Sequence, residues 1–226
     1  MLRRQLDVAA NNLANASTTG FRQDELVFND VLERNLSSSG KALGQLGYGP
    51  ANVLQMTDFG TMGQLIPTGN PLDVALESPE GAFAVRSADG VIRYTRDGAF
   101  TRNSEGQLAT KQGFPVLDDR LNPIDLPQGT VSVASNGVIT VNGEEVGTIG
   151  VFNGKFNKAG NNLLEGAAEL VTEPAMKGGT LESSNVNTVA TMVGMIELQR
   201  AFEIAQRSVT AQDELAQRLI SILQER

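Results

Sequence analysis

The sequence predicts a mainly β fold of the α+β class, with a central antiparallel β-domain flanked by an N-terminal and a C-terminal helix that pair as a coiled-coil stalk. Three observations predict it. Leu198, Phe202, Ala205, Val209, Gln212, Ala216, Leu219 and Leu223 recur at alternating intervals of four and three, the apolar seam of a coiled coil. Leu2, Leu6, Ala9, Leu13 and Ala16 repeat the same spacing at the other end of the chain. Between the two seams, short apolar runs alternate with Asx-Gly and related turn dipeptides.

The first helix is expected over residues 2 to about 17. Asn11, Asn12 and Asn15 lie off its seam and are poor helix formers, so their amides either mark the helix end or bond to something beyond it. Thr18-Thr19-Gly20-Phe21 provides the stop, with Gly20 in the left-handed position after the helix and Phe21 closing over the last turn. A second short helix is expected over Asp24 to Asn35, with Leu26, Val27, Val31 and Leu32 on one face. Ser37 to Gly49, rich in Ser and Gly, reads as a flexible connector, and Val53 to Leu65 as extended chain.

From Asn70 onward the dipeptides Asp89-Gly90, Asp97-Gly98, Glu105-Gly106, Gln112-Gly113, Asn136-Gly137, Asn142-Gly143 and Asn153-Gly154 punctuate the strands. Asn-Gly and Asp-Gly supply the positive φ that tight hairpins require. Connections this short make neighbouring strands antiparallel. A β-meander over 70 to about 173 follows, with closure into a small barrel or a sandwich left open. Pro174 to Gly179 is expected to break the sheet and lead into the long helix. At about 1.5 Å per residue that helix reaches roughly 55 Å. The predicted organisation is therefore residues 1–36 helical, 37–69 connector, 70–179 β-domain and 180–226 the C-terminal helix.

Composition narrows the function. With 40% hydrophobic residues in 226, a buried core is within reach; with aromatics at 5% and no Trp, it must be mainly aliphatic. A net charge of −8 without a basic cluster speaks against nucleic acid and anionic membrane surfaces as partners. The chain has no His and no Cys, which removes imidazole bases, thiol nucleophiles, disulfides and Cys/His zinc sites. No cleavable signal peptide is visible in the first residues, and no apolar run reaches a membrane span.

No catalytic, cofactor or metal constellation emerges. Asp118-Asp119, ahead of Arg120 and Asn122-Pro123, reads as a solvated turn rather than an acid pair. The Asp-Gly dipeptides lack the spaced ligands of a calcium loop. Ser183-Ser184-Asn185-Val186-Asn187 reads as the entry to the long helix, with Asn185 or Asn187 as its cap and Glu182 near the positive end of the dipole. These polar side chains also suit a subunit contact. Tyr94 to Phe100 reads as core plus a hairpin turn. The candidate assembly interface is the seams: Leu2, Leu6, Leu13, Leu198, Phe202, Ala205, Val209, Leu219 and Leu223.

Several stretches resemble the flagellar axial family of rod and hook proteins. Leu6 to Phe21 is similar to the family's N-terminal signature through Asn11, Asn12, Asn15, Gly20 and Phe21. Leu72-Asp73-Val74-Ala75-Leu76, Tyr94 to Phe100 and Gly106-Gln107-Leu108 resemble internal segments. Leu181 to Asn187, with Ser184, Asn185 and Asn187, followed by Met195-Ile196 and Gln199 to Glu203, resembles the C-terminal signature. The matches stand in family order along nearly the whole chain. Leu72 to Leu76 and the short insert before Val131 look most like the proximal-rod members.

The resemblance implies a non-enzymatic subunit without cofactors that polymerises into a hollow tube. Its terminal helices would line that tube and its β-domain would pack outside. The implied partners are identical copies, neighbouring rod proteins and the flagellar type III export apparatus, which passes such subunits without a cleaved signal. The implied location is the flagellar basal body. Family members carry further residues before the segment that begins here at Leu6, so the first helix is expected at about half length. The rival reading from another class is a ligand-binding β-module dimerised by its coiled coil, and a distal-rod or hook–basal-body protein is the alternative within the family.

Overall fold

The computed structural model describes residues 1–29 and 52–224. Helix α1 spans Leu2–Ala14. It stops earlier than the sequence pattern suggests, at Asn15, whose N–H is shared between the Asn11 and Asn12 carbonyls. Gly20 does take positive φ, at 64°, but not as the residue that ends the helix. Its role is close approach: a Cβ there would lie 2.4 Å from the Arg96 carbonyl carbon and oxygen.

The expected helix from Asp24 is instead a strand, β1 (Asp24–Asn29), paired antiparallel with β2 (Asn52–Thr57). Leu26 and Val27 fit either structure locally. The ladder to residues 52–57 and the capture of both Asp24 main-chain groups by Asn12 decide for the strand. The predicted Ser37–Gly49 connector lies outside the described residues.

β3 (Leu65–Pro67) and β4 (Val74–Leu76) open the β-domain. β5 (Ala82–Arg86) and β6 (Ile92–Thr95) form a hairpin, as do β7 (Phe100–Arg102) and β8 (Leu108–Thr110). β9 (Val131–Val133), β10 (Val138–Val141) and β11 (Glu144–Thr148) are a three-stranded meander. Asn142 and Gly143, at φ 55° and 89°, make the tight turn between the last two, as their sequence predicts. β12 (Val151–Gly154), β13 (Asn157–Gly160), β14 (Leu163–Glu165) and β15 (Ala168–Leu170) follow.

Strand order departs from a simple meander. The largest sheet runs β13-β14-β6-β5-β12-β15, so non-sequential strands become neighbours. Its end strands, β13 and β15, do not pair with each other, and the remaining strands form smaller sheets; among the described residues no closed barrel results. Two expected turns are not turns. Asn153-Gly154 belongs to β12, and Asp97-Gly98 passes from one sheet to another, with Gly98 so close to the Val74 carbonyl that a side chain would not fit.

Nor does Pro174–Gly179 end the sheet structure. β16 (Met176–Gly178) pairs with β4, and β17 (Thr180–Glu182) pairs with β3. The domain is thus closed by strands from its two ends. Helix α2 then runs from Thr188 to Gln224, 37 residues, or about 55 Å.

The core lies on both faces of β5. Phe83 and Val85 join Leu108, Val116, Ile139, Ile149 and Met176 on one side, and Phe83 meets Phe100 edge-on at 5.1 Å. Ala82 and Ala84 pack with Tyr94, Leu117, Phe152 and Leu164 on the other. The mainly aliphatic core follows from the composition.

Candidate functional site

The candidate site lies where the chain's two ends meet the β-domain. It begins at α1, where Asn12 is buried although it lies off the apolar seam. Its Nδ2 donates to the Asp24 carbonyl at 2.8 Å, and its Oδ1 accepts the Asp24 N–H at 2.9 Å. A carboxamide can satisfy a donor and an acceptor of one residue at once, which explains an Asn where an Ala would make the better helix. Asn15 donates to the Asn11 carbonyl and accepts from the Thr18 hydroxyl, closing the turn after α1. Asn11 is exposed.

Beyond that turn the chain enters the β-domain. The Gly20 N–H donates to the Glu182 carbonyl at 2.8 Å. The Thr19 hydroxyl donates to Asp97 at 2.6 Å, and Asn162 donates to the Thr19 carbonyl. Phe21 is buried under Lys158, whose ammonium lies 3.9 Å from the ring centroid. That ammonium also pairs with Asp24 at 2.9 Å and donates to the Arg22 carbonyl at 2.6 Å. Burial holds Lys158 below its ordinary pKa, against the opposing pull of Asp24.

At the centre lies a buried ion triad. Glu182 pairs with Arg22 at 2.9 Å and with Arg96 at 2.7 Å, and all three side chains are about 2% exposed or less. Arg96 gives both Nε and Nη2 to the same Glu182 oxygen, and its guanidinium also donates to the Gly81 and Ser78 carbonyls. Arg22 donates to the Thr61 carbonyl, and the other Glu182 oxygen accepts the Gly63 N–H. Burial lowers the Arg22 pKa; Glu182 opposes that shift and Arg96 adds to it. Charges taken this far from water persist only when paired and hydrogen-bonded.

The root of α2 is fixed to the same place. Asn185 accepts the Gln23 N–H at 2.7 Å and donates to the Thr61 and Asp58 carbonyls. Ser184 accepts the Val186 N–H, and Asn187 accepts the Ala190 N–H at 3.0 Å. Asn187 is therefore the helix cap, while Asn185 ties segments together. Glu182, expected near the helix dipole, belongs to the ion triad instead.

The seam residues divide. α1 packs against α2, with Leu2, Leu6, Leu13 and Leu198 half-buried. Phe202, Ala205 and Val209 are exposed, Val209 at 57%. The side chains of Leu219 and Leu223 lie outside the described ones. Ile204 and Leu215, exposed at 68% and 60%, extend the apolar surface beyond the predicted seam. α1, at 13 residues against 37, accompanies only the first part of α2.

Sequence reading missed Arg22, Asp24, Arg96, Lys158 and Glu182. No local pattern marks them, because each acquires its role from partners far away in the sequence: Arg22 and Arg96 from Glu182, and Asp24 from Lys158. Asp118 is a turn residue, accepting the Arg120 and Asn122 N–H groups. Among the described residues no three His, Cys, Asp or Glu side chains gather as metal ligands, and no helix is long and apolar enough to cross a membrane.

Three family models match the chain. Residues 2–22 match "Flagella basal body rod protein", residues 78–141 match "Flagellar hook protein FlgE/F/G D1 domain", and residues 177–222 match "Flagellar basal body rod FlgEFG protein C-terminal". Arg22, Arg96 and Glu182 come one from each of these regions. Among curated relatives, the chain is 36% identical to the flagellar basal-body rod protein FlgF of Caulobacter vibrioides, over 98% of this chain and 93% of that protein. It is 35% identical to FlgF of Mesorhizobium japonicum, over 89% and 84%, and 32% identical to the rod protein FlgG of Buchnera aphidicola, over 95% and 92%.

Proposed function

The chain belongs to the FlgF/FlgG family of flagellar basal-body rod proteins and is a structural subunit of that rod, and we propose that it polymerises through its helices into a hollow shaft that transmits torque and passes exported proteins. The observation that carries this is the exposed apolar surface of α2, which includes Phe202, Ile204, Val209 and Leu215 and is left uncovered by α1. In the assembled rod these side chains pack as a coiled-coil stalk against helices of neighbouring copies. Each aliphatic side chain so buried contributes roughly 1.5–3 kcal/mol. Head-to-tail contacts between identical copies generate an open helical assembly rather than a closed dimer.

Leu72 to Leu76 and the short insert before Val131 support a proximal position in the rod. The subunit reaches it through the flagellar type III export apparatus. Its role is mechanical, not catalytic. Phe202→Asp together with Val209→Asp should leave the thermal transition of the β-domain unchanged and abolish rod assembly in a complemented deletion strain. Normal motility with both substitutions would sink the proposal.

A further inference from the structure

The two helices are tied to the rest of the molecule at one short stretch of backbone. Asn12 of α1 holds both main-chain groups of Asp24. Asn185, two residues ahead of the α2 cap, holds the N–H of the preceding residue, Gln23, and reaches the Thr61 and Asp58 carbonyls with its Nδ2. The Asn185 N–H itself donates to the Phe21 carbonyl at 3.3 Å. Asp24 is in turn fastened to the β-domain by Lys158 and to β2 by Thr57 and Gln55.

Between β17 and α2, residues 183–187 have no regular structure, and from Thr188 onward α2 packs chiefly on α1. The direction of a 37-residue helix therefore depends on few bonds near its root. A small rotation at residues 183–187 would displace the far end of α2 by many ångströms without disturbing any core contact.

The geometry points to a hinge at Ser183–Asn187 whose angle is set by two carboxamide pins, Asn12 and Asn185. Both are positioning residues. Their chemistry is specific, because each amide accepts and donates at once. An Asp in place of Asn185 keeps the shape and the acceptor for Gln23. It replaces the donor with an anion facing two carbonyl oxygens. Unlike the ion triad, which holds β17 inside the β-domain, the pins act only on what lies outside it.

The absence of cysteine allows a direct test in the full chain. Spin labels on cysteines introduced at exposed Val91 and at exposed Ile196, in the part of α2 that α1 accompanies, report the β-domain-to-α2 distance by double electron–electron resonance. The parent pair should give one narrow distribution. Asn185→Asp should widen it at least twofold, and Asn12→Ala should widen it as well, while amide exchange at Phe83 and Val85 stays the same. An unchanged width in both variants, or a parent distribution already as wide as theirs, overturns the hinge. Should Asn185→Asp fail to fold, the unsubstituted chain still decides. The Gln23 and Asp24 amides, each held by a pin, must exchange at least tenfold more slowly than the amide of exposed Ser104, and equal rates overturn it.

Discussion

Arg96 directs two of its N–H groups at a single carboxylate oxygen of Glu182, 86 positions along the chain, and neither side chain has more than 2% of its surface in water. Arg22 takes the other oxygen. Removing the acid would strand two buried cations. Glu182→Ala should therefore destabilise the fold by about 3–5 kcal/mol, whereas replacing all three residues with apolar ones of similar volume should cost far less. Urea denaturation midpoints of the single and triple variants give the comparison. Equal losses in both would mean that pairing is not what Glu182 provides.

Gly20 and Gly90 separate two reasons for a glycine. Both have positive φ, 64° and 79°, but a Cβ at Gly20 would meet the Arg96 main chain at 2.4 Å while one at Gly90 meets nothing within 4 Å. Gly90→Ala should cost about 1 kcal/mol, the strain alone. Gly20→Ala should cost clearly more and also loosen the Gly20–Glu182 hydrogen bond. Parallel thermal melts of the two variants suffice.

Lys158 gives the fold a pH dependence on the alkaline side. Its folded-state pKa lies below the ordinary 10.5, chiefly through burial. Between the folded value and 10.5 the unfolded chain therefore binds more protons, and stability rises with pH through that window. Tyr94, raised above 10.0 by burial, acts in the opposite sense above pH 10. In a Tyr94→Phe background the rising slope should be visible in chemical denaturation. Lys158→Met should remove it.

The unaccompanied part of α2 should be the least stable helical segment among the described residues, since isolated helical segments are marginal in water. In dilute solution trypsin should cut after Arg207, which is exposed, before any site in the β-domain. The thermal transition of the trimmed product should match that of the full chain. Cleavage within the β-domain at a comparable rate would contradict this division.

Local chemistry was legible in the sequence, and long-range pairing was not. The Asn142-Gly143 turn, the strands around it and the long α2 all follow from short-range pattern. The residues Asp24–Asn29 fit a helix by their own spacing, because the pairing with residues 52–57 leaves no trace in it. Asp97-Gly98 carries a turn dipeptide, yet what fixes its glycine is the approach of the Val74 carbonyl. At the junction, the Asn residues announced themselves by sitting badly in a helix. Arg22, Arg96 and Glu182 did not, because an arginine or a glutamate in a turn-rich sequence is ordinary until its distant partners are known.

The triad also imposes an order on biosynthesis. The arginines at 22 and 96 leave the ribosome well before the glutamate at 182, and β3 and β4 likewise appear before the strands that complete them. Native closure must wait until most of the polypeptide has emerged, leaving a nascent chain with partly bare sheet edges in the meantime. A stop codon anywhere ahead of residue 182 would yield an unfinished β-domain with loose ends, not a shorter working subunit.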